Sequence, residues 1–87
     1  MAKRPKFFVY VLGSADRGLV KTYVGWTLDV DRRLAQHNGG RGAKSTRGRS
    51  WALLYAEPCR SRSLAMSREW HLKRDRAFRK RLAAALK

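Results

Sequence analysis

Acidic residues, cysteines and long apolar runs are all scarce in this sequence. Only 6 Asp and Glu oppose 21 Lys and Arg, so the formal net charge is +15, and such a field attracts a polyanion, of which nucleic acid is the default. The lone Cys59 excludes an internal disulfide and a cysteine-based zinc site, and it suits a reducing cytoplasm. No stretch approaches the roughly 20 apolar residues that span a bilayer, so no membrane association is expected.

The overall composition is typical of a protein that folds into a globular domain. With 87 residues and 44% hydrophobic content, we expect one domain over residues 1–87, in which residues 1–6 form a basic N-terminal tail. The apolar run from Phe7 to Leu12 is too short for the hydrophobic region of a signal peptide, so it is interpreted as a strand. A basic ribosomal-type protein stays open as a structural explanation of the charge.

Three segments are typical of strands. Residues 7–12 are apolar at nearly every position, which indicates a central strand covered on both faces. Residues 13–21 carry a loop signal and residues 22–26 are a second β-prone run, so the pair is predicted to be an antiparallel hairpin. A third strand is predicted over residues 51–56, with Pro58 closing it because proline cannot continue a ladder.

The first predicted helix covers about residues 30–37, where a stripe at four- and three-residue spacing lies on one face. Either Thr27 or Asp29 caps it. The segment 38–50 that follows is rich in glycine and basic residues and contains no acid, so a mobile basic loop is expected there.

Two further helices complete the pattern. Ser61 or Ser63 caps the second, which continues to about Arg74, and Asp75 caps the third. The predicted fold class is therefore α/β of the α+β kind, a small three-stranded antiparallel sheet flanked by helices in the order ββαβαα.

The second helix carries a carboxylate on its inner face. Helical spacing puts Glu69 beside Ala65 and Leu72, with Met66 on the adjoining edge. A carboxylate on a half-apolar face needs a cation. An ion pair with an arginine is one interpretation; the other is a divalent metal, which offsets charge on the phosphate oxygens during phosphodiester hydrolysis.

Other polar groups lie on the first helix and in the apolar strands. The planar donors of Arg33 match a phosphate, and His37 lies four residues further on the same face. A solvated charge and a histidine satisfied by a backbone carbonyl are the alternatives. Tyr10 and Tyr23 are either large hydrophobic strand residues or, if cationic surroundings favour the phenolate, candidates for a base.

These residues together resemble the GIY-YIG endonuclease superfamily. Its two name-giving tripeptides correspond to residues 8–10 (Phe-Val-Tyr) and 23–25 (Tyr-Val-Gly), and Arg33, His37 and Glu69 follow in matching order and elements. The resemblance covers almost the whole chain. Residues 23–51 also resemble, at greater length, the structure-selective members that cut flaps and branched DNA, and their short bacterial single-domain relatives.

The resemblance implies a metal-dependent DNA endonuclease. Glu69 would bind the single Mg²⁺ or Mn²⁺, and Arg33 would hold the scissile phosphate. Tyr10 would help to deprotonate the attacking water, with Tyr23 and His37 orienting or assisting, although the family pattern leaves open which tyrosine is the base.

Gly25 matches the family pattern, whereas Phe8 and one missing domain depart from it. Phe8 stands where the family name has glycine, at a position that need not carry chemistry. Gly25 would be small so that backbone and substrate can approach the site. The eukaryotic branched-DNA cutters also carry a cysteine-rich zinc domain, which one cysteine cannot supply.

The basic loop and the first helix offer contacts to a nucleic-acid backbone. No helix carries the array of Asn, Gln and Arg that reads a major groove, so little sequence specificity is expected, and shape or backbone recognition of DNA fits better. A preference for branched or flapped DNA is expected from the resemblance; RNA, a protein partner and a non-catalytic nucleic-acid-binding module stay open. The residues predicted to bind nucleic acid are Arg32, Arg41, Lys44, Arg47 and Arg49.

Overall fold

The computed structural model describes residues 6–16 and 18–86, so most of the predicted basic tail lies outside the described residues. The fold class and the order ββαβαα are confirmed. Short 3₁₀ turns also occupy residues Lys44–Thr46 and Ala84–Leu86. The strands and helices are β1 (Phe7–Asp16), β2 (Leu19–Thr27), α1 (Val30–Asn38), β3 (Ala52–Cys59), α2 (Arg62–Arg74) and α3 (Arg76–Ala83).

Strand β1 is the centre of the sheet, as its apolar sequence predicts. The strand order is β2-β1-β3, and both neighbours pair with β1 in antiparallel fashion. Because successive side chains of a strand point to opposite faces, Val9 and Val11 lie on one side and Tyr10 and Leu12 on the other. All four are at most 1% exposed.

The two faces of the sheet bury two separate clusters. The odd-numbered residues of β1 pack with α2 and α3, in a cluster of Val9, Val11, Val24, Cys59, Ala65 and Leu72. The even-numbered residues face α1, in a cluster of Tyr10, Leu12 and Trp51 with Tyr23 and Leu34 packed against it. Both strand tyrosines of the predicted site therefore lie on the α1 face.

The prediction of a loop over residues 13–21 is wrong for most of that range. Strand β1 continues to Asp16 and β2 begins at Leu19, with Asp16 opposite Leu19 in the ladder. Gly18 has a φ of 79°, which the tight turn between the strands requires and glycine adopts without strain. Polar residues in this hairpin resembled a loop signal, but they pair as strand.

The third strand is displaced from its predicted bounds at both ends. Trp51 precedes β3, and its backbone N–H and C=O are satisfied by the Asn38 side chain at 2.6 and 3.1 Å. At the other end, Pro58 does not close the strand but pairs opposite Phe8, and β3 runs on to Cys59. Proline is tolerated there because β3 is an edge strand.

Each helix begins at a side-chain cap, and the caps decide two open alternatives. Asp29 accepts a hydrogen bond from the Arg32 N–H, and Ser61 accepts one from the Leu64 N–H. Asp75 caps α3 as predicted, accepting from the Phe78 N–H. Among residues 6–16 and 18–86, no helix has the length and apolar character needed to cross a membrane.

Candidate active site

Three aromatic side chains of the predicted site meet on the α1 face of the sheet. Tyr10 and Tyr23 come from neighbouring strands, with ring centroids 6.3 Å apart, and His37 comes from the last turn of α1. The His37 ring lies 6.0 Å from Tyr10 and 4.8 Å from Tyr23. His37 is only 1% exposed, and its ring nitrogens bond to the Tyr10 and Thr46 hydroxyls and not to a backbone carbonyl.

A chain of hydrogen bonds fixes which nitrogen of His37 carries the proton. The Thr46 hydroxyl donates to the Ala43 carbonyl at 2.7 Å, and a hydroxyl has only one hydrogen to donate. Thr46 Oγ1 therefore accepts at 2.8 Å from His37 Nδ1–H. In the neutral imidazole, Nε2 is then the acceptor, and it receives the Tyr10 O–H at 2.9 Å.

The segment 38–50 is anchored by this network, so the prediction of a mobile loop is wrong for its central part. Thr46 is fully buried, and its carbonyl accepts the Trp51 indole N–H at 2.8 Å. A Cβ at Gly42 would collide with the His37 ring, so glycine lets the loop close over the histidine. The roles of Thr46 and Gly42 were missed, because loop composition carries no signal for a buried contact.

Burial shifts the pKa of both partners of the Tyr10–His37 hydrogen bond. Burial raises the pKa of Tyr10 to about 12, against the opposing influence of the Arg33 guanidinium. The phenolate predicted from the cationic surroundings is therefore not the resting form. Burial, with the Arg33 charge as a smaller cause, lowers the pKa of His37 below its ordinary value. At neutral pH the pair consists of a neutral phenol that donates and a neutral imidazole that accepts.

We expect the free energy of unfolding to decrease as the pH falls from about 7.5 to about 5. The pKa of His37 is lower in the folded chain than its ordinary value of 6.5, so the unfolded chain binds the proton first. The resulting stability is complete above pH 6.5 and is lost as the pH falls through the folded-state pKa. Thermal unfolding of wild type and His37→Gln at both pH values measures the contribution.

The exposed histidine of α2 supplies the matched control for that comparison. His71→Gln should retain the wild-type pH dependence between these two values, while His37→Gln should flatten it. An identical pH dependence in wild type and His37→Gln would contradict the burial argument.

Gly25 is required by Tyr10 itself. The two residues are paired across β1 and β2, and a Cβ at Gly25 would lie 2.6 Å from the Tyr10 hydroxyl oxygen and 3.1 Å from a Tyr23 ring carbon. The glycine therefore leaves space for the tyrosine hydroxyl to reach His37. The approach of a substrate, predicted from the sequence, remains a prediction.

The other two residues of the predicted site influence the pKa of the Tyr10 hydroxyl, which the Arg33 charge lowers and the Glu69 charge raises. Arg33 is half-buried and donates to the Gln36 side chain at 2.9 Å. The Glu69 side chain is 25% exposed and lies 3.6 Å from the Lys73 ammonium. The ion pair considered for Glu69 thus exists, but with a lysine of the same helix that is itself half-exposed.

Glu69 is the acidic residue of the predicted site. Within the described part of the chain, no cluster of three or more His, Cys, Asp or Glu side chains is placed to hold a metal ion. A closed structural metal site, which uses four protein ligands, does not fit these residues. A hydrated Mg²⁺ fits, because it is commonly held by one or two carboxylates together with waters and substrate phosphates.

The cations predicted to contact nucleic acid separate into two groups. Arg41, Lys44 and Arg47 are exposed or partly exposed, as is Arg32, which lines a cleft of about 360 Å³ beside Arg33. The Arg49 guanidinium is instead bound to the β-hairpin. It donates to the Ser14 hydroxyl at 3.1 Å, to the Ser14 carbonyl at 3.3 Å and to the Leu19 carbonyl at 3.1 Å.

Known proteins are similar in sequence to this chain over most of its length. The GIY-YIG catalytic domain family matches residues 6–82. A UPF0213 protein of Natronomonas pharaonis is 47% identical over 79 residues, which cover 88% of this chain and 89% of the relative. The UPF0213 protein YhbQ of Escherichia coli is 41% identical over 68 residues, covering 77% and 65%. No solved structure matches the chain.

Proposed function

Because the chain belongs to the GIY-YIG nuclease family, we propose that it is a metal-dependent endonuclease that hydrolyses phosphodiester bonds in DNA with little sequence specificity. The observation that carries the proposal is the buried hydrogen bond between Tyr10 and His37, in which the Tyr10 hydroxyl is influenced by the charges of Arg33 and Glu69. This arrangement combines a phosphate ligand, a metal ligand and a route for a proton around one hydroxyl group.

Glu69 is the residue that would hold Mg²⁺ or Mn²⁺. When bound, the ion offsets negative charge on the phosphate oxygens. The Lys73 ammonium lies 3.6 Å from the Glu69 carboxylate. A divalent cation can replace this long and partly solvated contact at small cost. Apart from its partly solvated contact with Lys73, a carboxylate that faces a phosphate repels it, so Glu69 has no evident use in a surface that only binds nucleic acid.

Tyr10 and His37 provide the route for the proton of the attacking water. As water oxygen bonds to phosphorus, its proton passes to the Tyr10 hydroxyl oxygen, and the original Tyr10 proton passes to His37 Nε2. The phosphorus–oxygen bond to the leaving strand breaks, the departing oxygen takes a proton from a solvent water, and the new imidazolium later loses its proton to solvent. This relay needs no resting phenolate, which the raised pKa of Tyr10 disfavours. Tyr23 packs on the His37 ring and helps to fix its orientation.

Arg33 is proposed to hold the scissile phosphate. Its guanidinium is oriented by Gln36 at 2.9 Å and lies at the wall of the cleft that Arg32 also lines. Paired planar donors match two phosphate oxygens and stabilise the charge that develops during attack. The cleft gives the flanking strand a place beside the reacting group.

Replacing Arg41, Lys44 and Arg47 together by alanine should weaken DNA binding and flatten its salt dependence. Removing one phosphate-neutralising cation from a complex with duplex DNA reduces the slope of log K against log salt by about 0.9. Titrations at several salt concentrations measure the slope. An unchanged slope would place the DNA path elsewhere.

Arg49→Ala is the matched control within the same loop. We expect it to leave the salt slope nearly unchanged and to reduce the free energy of unfolding by about 1–3 kcal/mol, because the hairpin loses hydrogen bonds to a charged donor. Its guanidinium is engaged with Ser14 and Leu19 of the hairpin.

The finer features of the function follow from the family resemblance. We propose branched or flapped DNA as the preferred substrate, with roles in DNA repair or recombination, and the cytoplasm as the compartment. The second candidate is a non-catalytic module that binds DNA or structured RNA, which the net charge of +15 favours equally.

The experiment that separates the two functions compares binding and cutting on one set of substrates. End-labelled linear duplex, 5′ flap, four-way junction and structured RNA are each incubated with the purified protein. The nuclease proposal expects cutting that ranks the flap and the junction above linear duplex. Equal binding to all four without cutting would favour the binding module.

A further inference from the structure

Helix α2 presents an exposed tryptophan directly after the proposed metal ligand. Trp70 follows Glu69 in the chain and is 53% exposed, whereas Trp51 is 6% exposed. The Arg74 guanidinium carbon lies 3.7 Å from the centre of the Trp70 ring, and Arg74 also donates to the Trp70 carbonyl at 3.1 Å. The half-exposed indole is therefore covered by a cation on one side, and the His71 ring lies in an edge-on arrangement with a centroid distance of 5.1 Å.

This tryptophan continues the surface of the active site around the helix. Met66 lies three residues before Glu69 and four before Trp70, so it is a neighbour of both on the helix surface; it is 48% exposed. Lys73 lies four residues after Glu69 and pairs with it. The strip from Glu69 through Met66 to Trp70 and Arg74 is thus apolar at its centre and basic along its edge.

We propose that Trp70, backed by Arg74, is a stacking platform for one unpaired nucleobase of the strand whose phosphate is held at Glu69 and Arg33. The strip is complementary to a ligand with a flat apolar part and an adjacent negative charge, and a nucleotide has both. Stacking on an aromatic ring tolerates any base, which agrees with little sequence specificity. The inference rests on nucleic acid being the substrate, as proposed above.

The platform also supplies a physical reason for choosing DNA with unpaired nucleotides. In an intact duplex both faces of an internal base are already stacked, so an interior base would have to leave the helix at a cost of a few kcal/mol. A flap, a junction or a frayed end offers an unstacked base without that cost. The platform would therefore select such substrates by stacking, without a reader of base sequence.

The test measures binding in EDTA, where no metal-dependent cutting occurs, by anisotropy of labelled single-stranded oligonucleotides. One oligonucleotide carries bases throughout, and its partner carries abasic residues at the central positions. We expect wild type to bind the base-containing strand roughly tenfold more tightly than the abasic strand. Trp70→Ala should reduce this ratio to about one, and Trp70→Phe should give an intermediate ratio.

Leu64→Ala is the matched control, because Leu64 is 51% exposed on the same helix but lies away from Glu69. It should keep the wild-type ratio, and all variants should keep the wild-type salt slope. The platform would be overturned if Trp70→Ala still bound the base-containing strand tenfold more tightly than the abasic strand, or if wild type bound both strands equally. A change in tryptophan emission with phosphatidylserine vesicles, but not with oligonucleotides, would overturn it in favour of a membrane surface.

Cutting by wild type in Mg²⁺ is measured separately, so failure of the platform and failure of the nuclease are distinguishable. Cutting without a Trp70 effect on the ratio would refute only the stacking platform. A Trp70-dependent ratio without cutting in any metal would refute only the nuclease.

Discussion

Glu69→Gln is expected to reduce metal-dependent cleavage by at least about 100-fold while leaving DNA binding almost unchanged. The substitution keeps the size and hydrogen-bonding ability of the side chain but removes the negative charge that a divalent ion requires. None of the exposed loop cations is altered, so the electrostatic part of binding persists. Single-turnover cleavage and anisotropy titrations on the same flap substrate measure the two quantities.

Lys73→Ala is the control for removal of the Glu69–Lys73 pair. That pair is 3.6 Å long and its lysine side chain is 53% exposed, so its removal should have little effect on stability. The freed carboxylate should bind the metal at least as well as in wild type. Retained cutting by Glu69→Gln would remove Glu69 from the site, and loss of DNA binding by that variant would mean that the carboxylate has a structural role.

Tyr10→Phe is expected to reduce the cleavage rate by about 10²–10⁴-fold, the usual contribution of a positioned acid or base. The phenylalanine fills the same buried space, but no hydroxyl remains to take the proton of the attacking water or to donate to His37 Nε2 at 2.9 Å. Because Glu69 and the loop cations are unaffected, DNA binding should be retained. Cleavage rates and thermal unfolding of the variant separate a chemical defect from a folding defect.

Tyr55→Phe is the matched control for Tyr10→Phe. Tyr55 is also a strand tyrosine with a bonded hydroxyl, since it donates to Glu57 at 2.6 Å, but it packs with Phe78 of α3 on the other side of the sheet. This substitution should leave the cleavage rate near that of wild type. Full activity in Tyr10→Phe together with inactivity in Tyr23→Phe would assign the base to Tyr23, the alternative that the family pattern leaves open.

The fold was predictable where a local pattern determines the structure. The apolar run of β1 indicates a strand buried on both faces, and capping residues define the starts of the helices. The hairpin was harder, because Ser14 looks like a loop residue but is 2% exposed and bonded to Arg49, which is distant in sequence. Pro58 was likewise misplaced, because whether a strand lies at an edge depends on the strand order.

The site was predictable to the extent that register and helical spacing bring its residues together. Tyr10 lies opposite Gly25, and Leu12 lies opposite Tyr23, so the two motifs necessarily share a face of the sheet. Thr46 could not be found in this way, since its contact with His37 depends on how a glycine-rich segment folds back over α1. The same folding places Arg49 on the hairpin, although the basic composition of residues 38–50 groups Arg49 with the exposed cations.

The proposed nuclease is tested most directly by single-turnover cleavage of an end-labelled 5′ flap by the purified protein in Mg²⁺, in Mn²⁺ and in EDTA. We expect discrete cut products with either metal, none in EDTA, and none from Glu69→Gln in parallel. Products that persist in EDTA, or their absence with both metals on a substrate that the protein binds tightly, would contradict a metal-dependent nuclease centred on Tyr10, His37, Arg33 and Glu69.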